Sequence, residues 1–321
     1  AGLQAEAVRA WQRVPESDVE RTRALLRLQA LQASSTSEFG AWERRASTLD
    51  LSATAAEMRA LVEGVDWSEG VAWLCELGRL VCRRLEHLPP AEPTSPLSAI
   101  LSMYFVNASG RIVARRPSAL EHAERYAESV RKSRRSDTQR AMVRGVLLPM
   151  LDQMRIEHGA PEAEVYGVAL RSAFVPPSRV GSFARGLTLG FDADFALAAH
   201  LLLPQFEHAL RTLVEARGAV VSTLESDGTQ KELVLDPLLE SPEAEAILGK
   251  QEARELRELL TDRSGVNLRN RVAHGLLEDG EATEHLAYFW WKVLRYCVVG
   301  TCIESSSGAP EGVDPPEPPA R

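Results

Sequence analysis

The stretch NLRNRVAHGLLEDG, residues 267 to 280, sets an arginine, an asparagine and a histidine within six positions of an otherwise apolar helix. Arg269 can hold a phosphate with fixed, paired N–H donors, and His274 can take a proton from one oxygen and return it to another. Asn270 can orient the histidine or a phosphate oxygen. Together the three suit cleavage of an RNA phosphodiester by its own ribose 2′-OH, chemistry that requires no metal and no cofactor and that DNA, lacking the hydroxyl, does not undergo. On an ideal helix Asn270 and His274 share a face, whereas Arg269 points roughly 140° away from His274. Two arrangements bring all three to one phosphate: the long arginine stem bends back, or a second copy of the helix lies antiparallel across a twofold axis. The second makes a homodimer part of the expectation.

The spacing by itself is weak. Arginine makes up about a tenth of the chain and there are seven histidines, so an arginine with a histidine five positions later is expected about once by chance. On spacing alone the ordinary reading is favoured: Asn270 bonds the helix N-terminus, Arg269 faces solvent and His274 is a satisfied helix histidine beside the flexible Gly275. The surrounding phrases are more specific. LLLPQFEHALRTLVEARG, STLESDGTQKELVLDPLL and GVNLRNRVAHGLL, within about 185 to 300, resemble a bacterial family of unknown function with a HEPN-like C-terminal region, and RN-xxx-H is the HEPN signature. Arg269, Asn270 and His274 match that superfamily's catalytic positions. The resemblance implies an all-helical bundle, an active cleft between two protomers, an RNA product ending in a 2′,3′-cyclic phosphate, and a setting in antiphage defence, as toxin or abortive-infection effector. It also implies an inhibitory or triggering protein partner. The alternative carried by the same resemblance is a non-catalytic module that binds a nucleotide or a protein through that cleft.

Other candidates carry less. Glu207 and Arg211, four apart in PQFEHALR, read most simply as a helix-surface ion pair, with a supporting role beside the cleft as the functional reading. His208 and His285 could approach the site, but nothing in one sequence brings them there. His200 and His208 lie eight apart, too far along a helix for one metal, so no metal site is expected. Cys75, Cys82, Cys297 and Cys302 form no CxxC pair and read as buried free thiols. No phosphate-cradling GxxxxGK[ST] or GxGxxG occurs, and no GxSxG elbow.

The net charge of -8 argues against a whole-surface attraction to nucleic acid. One basic block stands out, nine bases against four acids from 111 to 140, with a solvated helix face as its default reading. No run approaches the roughly 20 apolar residues of a membrane span, and AGLQAEAVRAWQR lacks the apolar block of a signal peptide, so a cytoplasmic location is expected with no membrane partner.

Ala, Leu, Arg and Glu dominate while aromatics and β-branched runs are scarce, which predicts an all-α fold. Residues 18 to 33 repeat apolar positions at three and four, with Ser17 or Asp18 as N-cap, and SATAAEMRALVEGV follows the same pattern. DWSEGVAWLCELGRLVCRRLEHL carries a stripe through Trp67, Val71 and Leu74, and Trp67 and Trp73 are both expected in the core. After the linker PPAEPTSP come a short helix through SAILSMYFV, a turn at NASGR, a charged helix from about 118 to 132 and a further helix in DTQRAMVRGVLLPMLDQM. A long helix over 192 to 215 contains Pro204. VVSTLESDGTQKELVL offers one small β-hairpin about Asp227 and Gly228. Pro242 opens a helix to 260, Asn267 can cap the next, and the last runs from 283 to 304. The Pro/Gly/Ser-rich FVPPSRVGSFARG marks the best domain boundary. The expected organisation is a regulatory or sensing helical region over 1–178, a HEPN-like bundle over 179–304 and a disordered tail over 305–321.

Overall fold

A computed structural model describes residues 8–14, 17–38, 50–86, 100–106 and 112–300. The linker PPAEPTSP, the NASGR turn and the tail 305–321 lie outside the described residues. Thirteen α-helices and two small antiparallel hairpins are present among those described, so the chain is mostly α. It divides into two compact units, each built from two stretches of chain: Ala1–Gly159 with Glu258–Phe289, and Ala160–Arg257 with Trp290–Arg321. No helix among the described residues is long and apolar enough to cross a membrane.

In the first unit α1 spans Asp18–Glu38. Ser17 does not cap it: its hydroxyl donates to the carbonyls of Trp11 and Val14, both at 2.7 Å, and so ties down the preceding turn. Helices α2 (Ser52–Val62) and α3 (Trp67–Glu86) follow. Asp66 caps α3 by accepting from the Glu69 N–H at 2.9 Å. Trp67, Val71 and Leu74 are buried as the stripe predicts, but Trp73 is 38% exposed and is not core. The helix expected through SAILSMYFV is corrected: Met103–Val106 is strand β1, paired antiparallel with β2, Ile112–Arg116. Aromatic and β-branched side chains favour the pleated form, and the guanidinium groups of Arg115 and Arg116 lie 5.6 Å from the ring centroids of Tyr104 and Phe105.

The two helices expected between 118 and 154 form one rod. Helix α4 (Ala123–Met142) passes through a π-helical turn, Val143–Leu147, into α5 (Leu148–His158). Pro149 has no N–H to give to the ladder, and the wider turn, in which the Leu148 N–H reaches the Val143 carbonyl, carries the chain past it. Val62, Leu74, Met142, Leu147, Met150 and Met154 make the apolar core of this unit.

The second unit opens with α6 (Glu162–Arg171), a 3₁₀ turn at Pro177–Arg179, α7 (Val180–Phe191) and α8 (Phe195–Glu215), with Pro204 inside α8. The chain parts between the units at 159/160. Residues 174 to 186 are a packed corner of the second unit, where the Phe174 ring lies 5.2 to 6.1 Å from those of Phe183, Phe206 and Tyr296. A Cβ on Gly190 would stand 2.0 Å from Trp290 Nε1, which donates to the Leu187 carbonyl at 3.0 Å; only glycine permits that approach. Strands β3 (Ser222–Leu224) and β4 (Gln230–Glu232) form the hairpin expected about Asp227 and Gly228. Then come α9 (Leu235–Glu240), α10 (Pro242–Leu248) and α11 (Lys250–Leu260). The helix expected from 242 to 260 is thus broken in two at Gly249, where φ is +86°. Short α12 (Leu268–Ala273) belongs to the first unit, and α13 (Thr283–Val299) closes the described chain.

Candidate functional site

Helix α12 presents the Arg-Asn-His residues. It is only six residues long, anchored by buried Leu268 and Val272. Asn267 precedes it in the left-handed region at φ +58°, but it makes no side-chain cap. Its Oδ1 instead accepts from Asn270 Nδ2 at 2.7 Å. The Asn270 Oδ1 in turn accepts a long hydrogen bond from Arg269 Nη1 at 3.4 Å. Asn270 is therefore held between Arg269 and Asn267, and orients neither ring nitrogen of His274.

His274 ends the helix as its C-cap residue, and Gly275, at φ +61°, turns the chain back so that the Leu276 N–H reaches the Arg271 carbonyl at 2.8 Å. The His274 side chain is exposed and makes no hydrogen bond or ion pair among the described residues. Within one chain the structure brings Arg269 and Asn270 together and leaves the imidazole open to solvent. Arg271, between them in sequence, turns to an ion pair with Glu281.

Glu207 and Arg211 lie in the second unit, on α8, with Arg211 Nη2 at 3.1 Å from Glu207 Oε1 and 2.8 Å from the Leu233 carbonyl. The pair tethers α8 to the chain leaving β4. His208 beside them is held below its ordinary value by partial burial and by Arg179 and Arg211. Cys75 and Cys297 are buried free thiols, the side chain of Cys82 and all of Cys302 lying outside the description. No three His, Cys, Asp or Glu side chains among the described residues come together as a metal site would require.

Sequence reasoning missed a second feature of the first unit, a cleft of about 460 Å³. Helix α4 forms one wall through Ser129, Ser133, Ser136 and Arg140, spaced at four, three and four and so on one face. The loop 263–266 forms another. There a Cβ on Gly265 would stand 2.1 Å from the Glu258 carbonyl, which accepts from the Val266 N–H at 3.1 Å. Arg271, the start of α13, and Phe105 and Ala114 of the β1–β2 pair complete the cleft. Ser136 Oγ and His285 Nε2 are 2.8 Å apart. Burial, then the positive charges of Arg140 and Arg271, bring His285 down to about 4, so its imidazole is neutral at neutral pH. A regular run of serines ending in arginine on one helical face was the available signal.

The basic block is less solvated than its default reading. Arg116 Nε donates to Ser129 at 2.9 Å and Arg116 Nη2 to Ser133 at 2.7 Å. Lys132 bonds Asp262 and Ser264, and Arg135 Nε is 2.6 Å from Glu258 Oε2. No protein-family model, no curated protein and no solved structure matches this chain.

Proposed function

We propose that this chain is a metal-independent endoribonuclease of the HEPN type, working as a homodimer in the cytoplasm as a toxin or effector of antiphage defence. The observation that supports it most is the state of α12: Arg269 and Asn270 are joined by a hydrogen bond, while the His274 imidazole stands open at the helix end. A second copy of the helix supplies the geometry that one copy lacks. His274 removes the 2′-OH proton or protonates the leaving 5′ oxygen, and Arg269 holds the phosphate and offsets its developing charge. The 2′ oxygen forms its bond to phosphorus as the bond to the 5′ oxygen breaks, leaving a 2′,3′-cyclic phosphate and a 5′-hydroxyl. A protein partner restrains or triggers the enzyme.

The test is incubation of the purified chain with labelled RNA in EDTA, alongside His274→Ala and Arg269→Ala. Cleavage lost in both variants is expected, and equal cleavage in all three overturns the reading. Expression should arrest growth in the parent and not in His274→Ala, and light scattering should give a dimer.

The second reading is a non-catalytic module that binds a nucleotide or protein. It is favoured by one observation: both ends of the Asn270 amide are taken up by Arg269 and Asn267, leaving it unavailable to orient a catalytic histidine.

A further inference from the structure

We infer that the cleft of the first unit binds a small phosphate-bearing ligand, with Arg140 and Arg263 as its two charged contacts. Each carboxylate in the lining already has a cation: Glu258 has Arg135, Glu281 has Arg271, and Glu284 has Arg144. Lys132 is taken by Asp262. Arg140 and Arg263 remain in the lining; among the described residues neither guanidinium makes a hydrogen bond or salt bridge, and Arg140 acts on Glu284 only through space, as a smaller cause than Arg144.

Two unbonded guanidinium groups facing one concavity repel each other, and an anion placed there removes that cost. Phosphate fits the chemistry because guanidinium N–H donors match pairs of its oxygens, and the Ser133 hydroxyl, which accepts from Arg116 and so keeps its own proton, adds a neutral donor on the same wall. The volume of about 460 Å³ falls in the range of small-molecule sites and well short of a polymer channel. The field is already visible inside the protein, because the same Arg140 that faces the cleft helps to keep His285 neutral. Gly265 and the Asp262 side chain, which accepts from the Ser264 N–H at 2.7 Å, fix the loop that carries Arg263. The backbone of the site is thus preformed, and its ligand has only the two arginine side chains to order.

The experiment titrates the full chain by calorimetry with inorganic phosphate, pyrophosphate, AMP, ATP and a short RNA. Saturable binding of at least one small phosphate is expected. Arg140→Gln and Arg263→Ala should each weaken it about tenfold or more, while Arg155→Ala, whose side chain is exposed on α5 outside the lining, should leave it unchanged. Inorganic phosphate and pyrophosphate against AMP and ATP separate recognition of phosphate alone from that of a nucleotide. His274→Ala should bind as the parent does, so loss of RNA cleavage and loss of this site are read separately. No binding of any small probe at millimolar concentration overturns the inference, as does binding of the RNA alone, or equal affinity in the parent, Arg140→Gln and Arg263→Ala when circular dichroism shows all three folded.

Discussion

Each unit gathers cations beside carboxylates, and the two units treat them in opposite ways. In the second unit Lys292 is 3% exposed, and every charge it meets is answered: Glu252 at 2.9 Å, Glu255 at 3.2 Å, with the Tyr296 hydroxyl donating to Glu252. Burial pushes Glu252 up, but Lys292 and Tyr296 outweigh it and hold the carboxyl below its ordinary value. Burial and the same carboxylate push Tyr296 well up. Lys292 and Arg295 also lie 5.4 and 5.9 Å from the Trp291 ring. In the first unit, acids claim only part of the positive charge around the cleft. A cluster whose charges close on themselves stabilises a fold, whereas one left open by two arginines is suited to an outside anion.

That contrast can be broken most forcefully at Lys292. Lys292→Met leaves two carboxylates buried without their cation and should cost about 3 to 5 kcal/mol in chemical denaturation; a loss below about 1 kcal/mol would show the cluster to be solvated. Acid should act next, on the first unit. His285 titrates at about 4 when folded against an ordinary 6.5, so the unfolded chain binds the extra proton between those values. Stability is whole above pH 6.5 and falls toward pH 4, by about 3 kcal/mol for this group. His285→Gln should flatten that part of the stability–pH curve. Arg140→Gln should raise the His285 midpoint without restoring it, because burial is the larger cause, and proton resonances of the ring would report the shift. Smallest should be Arg271→Ala: its partner Glu281 is 46% exposed, and losing the ion pair should change stability by less than about 1 kcal/mol.

Local pattern made the long helices legible. The apolar period over α8 and the turn residues Asp227 and Gly228 required nothing from the rest of the chain. Strand β1 was hidden because MYFV follows a helix-like SAILS, and its pairing with β2 is a relation between segments. The partners of the basic block were hidden for the same reason, since Lys132 meets Asp262 and Arg135 meets Glu258 across more than a hundred residues. At the candidate site, Arg269, Asn270 and His274 were visible as residue types. The left-handed Asn267 that takes up Asn270 was not, because nothing in the neighbouring sequence requires φ +58° at a non-glycine.

The π turn at Val143–Leu147 acts as a phase shifter. One extra residue in a helical turn advances all that follows by about 100°. A single rod can therefore aim its serines and Arg140 at the cleft and then, beyond the turn, aim Met150 and Met154 into the core. Deleting one residue there would restore an ordinary helix and set these two faces out of step, so the length of this segment matters more than its composition.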